Sequence, residues 1–327
     1  MVINRGEDFK LGEGDNVQLN HNNEIILKEN ELKGYYQSPM IHSNEFTELV
    51  SSWNVNTPKG TDVEVSFQVK VGDNWSMWFS YGKWSSNRDG GSIDGQKDEI
   101  GKMSIDTLTM LGGKKADAFK YKVMLTRNDS SIHSPRIRAI SAALKLSITA
   151  IPAFDINTNY LVELDVPERS QMIIPEIGNI ICSATSLAMV LEYYSKKIAT
   201  EEVAANVLDN SAEIYGNWSY NVAYAGTMGL NAYVFRFSTI GEIKNKIAEG
   251  IPVIASIRIK SKDELQGAPS AYPSGHLVVV RGFVMRDGEE YIIINDPAAP
   301  NNETVRREYK VSEFEKAWVN IVYILTP

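Results

Sequence analysis

Apolar and polar residues alternate along several stretches in the first half of the chain. From Asp62 to Lys70, four apolar residues alternate with charged and polar ones, and the pattern recurs at Phe119–Leu125 and Ile140–Ile148. A period of two is typical of a strand with one buried face. Because residues 1–150 combine many such strands with no convincing helix, they predict an all-β domain of the sandwich or jelly-roll type.

The period changes in the second half. After Cys182, apolar residues recur at helical spacing up to Tyr194. Further helices are predicted at 200–208, 217–229 and 241–249. Strands are then predicted at 252–259, 276–284, 291–294, 305–309 and 321–325. Helices followed by strands predict an α+β domain over residues 159–327, and the aperiodic stretch 151–158 is interpreted as the linker.

Length and charge narrow the classes of function. At 327 residues the chain exceeds one common core, which agrees with two domains. Its net charge is −8 and no run of lysines or arginines occurs, so nucleic acid is not the expected partner. No window is apolar enough for a membrane span, and the first thirty residues contain no signal-peptide core.

Two features of the first half could bind a ligand. Four aromatic residues crowd into one segment, Trp75, Trp78, Tyr81 and Trp84. Such clusters are more often core than a platform for carbohydrate or peptide, and the binding interpretation stays as an alternative. The acidic loop Asn87–Glu99 lacks the spacing of a calcium loop, and one cysteine with four histidines shows no zinc-ligand spacing. We therefore expect neither a metal nor another cofactor.

Cys182 is the only cysteine in the chain, so it can form no internal disulfide. Taken alone, a free cysteine is more often a small buried residue than a nucleophile. The helical pattern begins at Cys182, however, and the start of a helix stabilises an anion and lowers the pKa of a thiol there. Cys182 is therefore the candidate nucleophile.

A histidine and an aspartate flank a predicted hairpin. His276 begins one strand, Asp296 follows the next, and Asp287-Gly288 between them is a turn signal. A two-residue turn would place Asp296 opposite Val279, with His276 pointing to the other face of the sheet. We therefore predict a bulge or a three-residue loop that brings both side chains to one face. The alternatives are a histidine bonded at a strand end and an Asp-Pro turn initiator.

Four segments together resemble a known family: VPERSQ, CSATSLAMVLEYY, GHLVVVRGF and NDPA. The chain from about Val166 to Pro327 resembles the papain-like cysteine peptidases of the double-glycine, bacteriocin-processing type, peptidase family thirty-nine. The resemblance implies that Cys182 is the nucleophile, His276 the general base and acid, and Asp296 the group that orients the imidazole. It also implies that Gln171 donates to the oxyanion. SWNVNTPKGTDVEVSFQV more weakly resembles a β-sandwich of exported bacterial members, so a secreted bacterial protein is expected, with the cytoplasm as the alternative.

The function that follows is a cysteine peptidase that hydrolyses amide bonds of a peptide or protein through a thioester. Two alternatives remain. One is a binding protein whose β domain recognises a polymer, such as a cell-wall carbohydrate, beside a silent peptidase fold. The other is an amidase that acts on a non-protein amide of the cell wall. The loop Ser261–Ser274 could form a wall of the cleft, although its plain interpretation is a surface connection.

Overall fold

The computed structural model describes residues 1–147 and 162–327. Its contacts form two compact units, one of residues 1–147 with Leu208–Val234 and one of residues 162–207 with Phe235–Pro327. The segment Leu208–Val234 therefore joins the N-terminal strands, although the sequence placed it in the second domain. The predicted linker 151–158 lies outside the described residues. Within those residues, no helix is both long and apolar enough to cross a membrane.

The first unit is built from antiparallel strands. They are β1 (Val2–Arg5), β2 (Glu13–Asp15), β3 (Val17–Leu19), β4 (Ile25–Leu27), β5 (Lys33–Gln37), β6 (Ile41–Asn56), β7 (Thr61–Val71), β8 (Asn74–Trp75), β9 (Phe79–Trp84), β10 (Gly101–Ser104), β11 (Thr107–Met110), β12 (Ala116–Arg127) and β13 (Arg136–Leu146). The three alternating stretches fall on β7, β12 and β13, as predicted, with Ile148 outside the described residues. In β7 the apolar positions Val63, Val65, Phe67 and Val69 are fully buried, because successive side chains of a strand point to opposite faces.

The aromatic segment belongs partly to this core. Tyr81 and Trp84 are buried in β9, and the Tyr81 ring packs edge-on against Trp53. Trp75 and Trp78 are half-buried, and Lys120 and Lys122 place their ammonium groups over the two rings. Tyr81 and Trp84 are therefore core residues and are not available to stack on a ligand.

One helix of the first unit comes from the later part of the chain. Helix α3 (Trp218–Thr227), which matches the prediction at 217–229, packs on β6. The Asp106 carboxylate accepts the Trp218 N–H at 2.6 Å, and Arg138 donates to the Gly226 carbonyl at 2.6 Å. An acid at the N-terminus and a base at the C-terminus both complement the helix dipole.

The second unit combines helices with an antiparallel sheet. Its helices are α1 (Cys182–Tyr193), α2 (Thr200–Val207), α4 (Ile240–Ala248) and α5 (Val311–Ala317). Its strands β15 (Val253–Ile259), β16 (Tyr272–Arg286), β17 (Glu289–Asn295), β18 (Arg306–Lys310) and β19 (Trp318–Thr326) are ordered β19-β15-β16-β17-β18. A further strand, β14 (Asn231–Arg236), begins in the segment Leu208–Val234 and ends in the second unit. The helices predicted at 182–194, 200–208 and 241–249 and the five predicted strands are present. β14 and α5 were not predicted. Helix α1 packs against β16, which joins the two elements that carry Cys182 and His276.

Candidate active site

A β-bulge sets the relative positions of His276 and Asp296. The turn Asp287-Gly288 has φ angles of 49° and 82°, and Arg286 pairs with Glu289 across it. The register then shifts between Val280 and Gly282, so the ladder continues with Val279 opposite Asn295. Asp296 consequently falls opposite Val278, whose side chain points to the same face as His276. The bulge predicted from the sequence is confirmed.

The imidazole of His276 is bonded to the carboxylate of Asp296. His276 Nε2 lies 2.7 Å from Asp296 Oδ1, and both side chains are buried. The Ala298 N–H also donates to Oδ1, at 3.0 Å. The hydroxyls of Tyr272 and Tyr309 donate to Oδ2 at 3.0 and 3.1 Å. The buried carboxylate thus accepts four hydrogen bonds, which offset the cost of removing its charge from water.

Cys182 is the first residue of α1 and is half-buried. Its thiol is hydrogen-bonded to the His276 ring and to the backbone N–H groups of Leu277 and Ser183. Because Nε2 of His276 faces Asp296, the nitrogen that remains for Cys182 is Nδ1. The Ser186 hydroxyl donates to the Leu277 carbonyl at 3.0 Å, which fixes the Leu277 peptide between helix and strand.

The three ionisable groups shift one another's pKa values. Burial by itself raises the pKa of the Cys182 thiol, but the hydrogen bond and charge of His276 outweigh it and lower that pKa below its usual value. Burial has the opposite effect on His276 and lowers its pKa, because the charged form of a histidine is the protonated one. Asp296 and Cys182 outweigh burial and raise the pKa of His276 to about 10. Burial raises the pKa of Asp296, and His276 more than reverses this. These opposite shifts favour a thiolate beside an imidazolium.

Gln171 lies next to the segment that follows Asp296. It is buried at the start of the short 3₁₀ turn Gln171–Ile173, and its backbone N–H donates to the Pro297 carbonyl at 2.8 Å. Its side-chain Nε2 donates to the Gly178 carbonyl at 2.6 Å. The neighbouring Ser170 hydroxyl bonds to the Ala299 carbonyl. The structure thus brings Cys182, His276 and Asp296 into one hydrogen-bonded row. Gln171 is hydrogen-bonded to Pro297, the residue that follows Asp296.

Sequence reasoning missed the two tyrosines that contact Asp296. Tyr272 lies inside the stretch Ser261–Ser274, for which the sequence left both a wall of the cleft and a surface connection open, and it is buried at the start of β16. Tyr309 was placed in a strand without a role. The available signal was a lone aromatic residue in a polar loop, four positions before His276.

Two family models match the chain. The model of the Peptidase_C39 like family matches residues 163–325, and that of the peptidase C39 N-terminal domain matches residues 5–144. A search of curated proteins found no match.

Several solved structures are similar to the chain. One is a double glycine motif protease from an AMS/PCAT transporter, in complex with the leader peptide, at 25% identity and a TM-score of 0.34, covering 50% of this chain and 94% of that one. A second is a C39-like peptidase from Bacillus anthracis, at 18% identity and 0.38, covering 52% and 99%. A third is the peptidase domain of Streptococcus ComA, at 16% and 0.33, covering 47% and 96%. On the two family matches, which together span most of its length, the chain belongs to the C39-like cysteine peptidases and carries a C39 N-terminal domain.

Proposed function

We propose that the protein hydrolyses peptide bonds with Cys182 as nucleophile, His276 as general base and acid, and Asp296 as the group that orients His276. The observation that carries this proposal is the row from the half-buried Cys182 thiol through the buried imidazole of His276 to the buried carboxylate of Asp296. Nucleophile, base and orienting group in hydrogen-bonded sequence are what covalent acyl transfer requires.

The chemistry proceeds in two steps. The Cys182 thiolate attacks the carbonyl carbon of the scissile amide, and His276 gives its proton to the leaving amine as the C–N bond breaks. The remaining thioester is attacked by a water molecule, whose proton passes to His276 while the C–S bond breaks and the thiolate returns. Each cycle consumes one water and releases one amine and one carboxylic acid, so no other reactant is needed.

The developing oxyanion needs donors on the other side of the thiolate. We assign the Cys182 backbone N–H, at the start of α1, and the Gln171 side-chain amide to this role. A primary amide has two N–H groups. The Gly178 carbonyl accepts one from Gln171 and holds the amide in place, which leaves the other for the oxyanion.

The finer fold assignments belong to the same proposal. We assign the second unit to the papain-like α+β architecture, with α1 against the sheet, and the N-terminal strands to a β-sandwich. The substrate class is a peptide, in line with the leader peptide bound by one of the similar proteases.

The test is digestion of a proteome-derived peptide mixture in water enriched with oxygen-18, read by mass spectrometry. Wild-type protein should generate new peptides whose C-terminal carboxylates carry one heavy oxygen, since the attacking water supplies that atom. Cys182→Ala should generate none. A parallel digest of purified cell-wall fragments is included. Cleavage of those fragments alone, or products that persist in Cys182→Ala, would contradict the proposal.

A further inference from the structure

The carboxylate of Asp296 is held from the side opposite His276. While Oδ1 faces His276, Oδ2 accepts the hydroxyls of Tyr272, on β16, and Tyr309, on β18, at 3.0 and 3.1 Å. The two donors fix the rotation of the carboxylate about its Cβ–Cγ bond. Oδ1 is thereby kept in line with Nε2 of His276.

Tyr272 also covers one face of the imidazole. The Tyr272 and His276 rings are stacked, with centroids 3.9 Å apart and planes inclined by 15°. One side chain therefore contacts both members of the His276–Asp296 pair. The other ring face and edge remain for Cys182, which hydrogen-bonds the imidazole from α1.

A second irregularity of β16 makes the stacking possible. In a regular strand, residues four apart are separated by roughly 13 Å. Here Ile257 pairs with His276 but Ile259 pairs with Tyr272, so β16 contains two extra residues at this point. Gly275, with φ of 105°, allows the chain to fold back. The distortion brings the two rings together.

Charged and titratable groups on several elements act on His276 and on the two tyrosines. Cys182 lies on α1 and Asp296 beyond β17, and both favour the protonated imidazole. Arg307 on β18 acts on both tyrosines, whose pKa values burial raises well above the usual range. The tyrosines therefore remain neutral donors wherever the thiolate and imidazolium coexist. An aromatic face over an imidazolium adds a cation–π attraction.

We propose that Tyr272 and Tyr309 are positioning residues that orient the Asp296 carboxylate and, through Tyr272, the imidazole plane, so that the proton stays on His276. This inference rests on the proposed function. Both hydroxyls donate to Asp296 and neither donates to the Cys182 thiol, and Tyr272 contacts His276 only through its ring. Their effect passes through Asp296 and His276 to the stability of the thiolate–imidazolium pair.

The test is the pH dependence of Cys182 alkylation by iodoacetamide in four full-length proteins: wild type, Tyr309→Phe, Tyr272→Phe and Tyr272→Leu. The rate should change in two steps, the lower when the ion pair forms and the upper when the imidazolium loses its proton. Loss of one hydroxyl should move the upper step down by about one pH unit, roughly tenfold in proton affinity. Tyr272→Leu, which also loses the ring, should move it further.

Tyr193→Phe is the matched control, because the Tyr193 hydroxyl donates to the Gly250 carbonyl at 2.9 Å, away from Asp296. Its two steps should coincide with those of wild type. Circular dichroism confirms that each variant is folded. Folded Phe variants that keep both wild-type steps would overturn the positioning role alone. A wild type without a step below the ordinary thiol pKa would overturn the proposed function, and the positioning role with it.

Discussion

Replacement of Asp296 by asparagine separates the charge of this residue from its shape. Asparagine has the same outline, its Oδ1 can still accept from His276 Nε2, and its amide can donate to the oxygens of Tyr272 and Tyr309. The orientation of the imidazole should therefore survive. What disappears is the negative charge 2.7 Å from the ring.

The size of the effect follows from the opposing influences on His276. Burial lowers its pKa, and the charge of Asp296 is the largest influence that raises it, from 6.5 to about 10. Without that charge, burial should prevail and the pKa should fall to 6.5 or below. A fall of this size corresponds to ~5 kcal/mol of differential interaction. At pH 8 the imidazolium of the wild type should be replaced by a neutral ring.

Nuclear magnetic resonance of protein labelled at histidine Cε1 measures this directly. The chain has four histidines, His21, His42, His133 and His276, so the spectrum is simple, and His276→Gln assigns the signal. In wild type the His276 signal should show no titration near pH 6.5 and should shift only towards pH 10. In Asp296→Asn it should titrate at or below 6.5. A signal that titrates at the same pH in both proteins would refute the electrostatic reasoning.

Three further changes test the structure around the site. Asp106, whose carboxylate caps α3, has a pKa raised to about 6, mainly by burial. Its contribution to the free energy of unfolding should therefore be complete below pH 3.8 and should fall by ~3 kcal/mol as the pH rises through 6. Denaturant titrations should show this pH dependence in wild type and not in Asp106→Asn. Gly275→Ala places a side chain on a residue with φ of 105°, so we expect about 1–3 kcal/mol of backbone strain. Because the strain should shift His276, Cys182 should be alkylated more slowly than in wild type. An unchanged alkylation rate would contradict the role given to Gly275. Arg281 lies between Val280 and Gly282, at the β-bulge, and its buried guanidinium donates to Glu168 at 2.8 Å. Arg281→Met should cost about 2–3 kcal/mol of stability in urea unfolding, and an unchanged stability would show that the bulge does not need this guanidinium.

The sequence predicts the parts of the site that depend on local pattern. The start of α1 at Cys182 follows from helical spacing, and the hairpin follows from Asp287-Gly288 between two apolar runs. Even the bulge was predictable, because strand parity would otherwise place His276 and Asp296 on opposite faces of the sheet. Local pattern and parity together therefore indicate the row from thiol to carboxylate.

The parts that depend on distant packing were not predictable in the same way. Tyr272 stacks on His276 only because two extra residues distort β16, and no periodicity encodes that distortion. Tyr309 reaches Asp296 through the pairing of β17 with β18, which local pattern does not specify. The same holds for Leu208–Val234, whose helical pattern predicts α3 but does not say that Asp106 and the N-terminal strands bury it.

The central claim is that Cys182 is held as a thiolate by His276, and its alkylation rate as a function of pH tests this most directly. In wild type the rate of reaction with iodoacetamide should rise to a plateau well below pH 8.5, the usual range of a free thiol. In His276→Ala that plateau should vanish. His133 is exposed, so His133→Ala serves as the control variant and should keep the plateau. A Cys182 that reacts with an ordinary thiol pKa in wild type, or only after unfolding, would contradict the account.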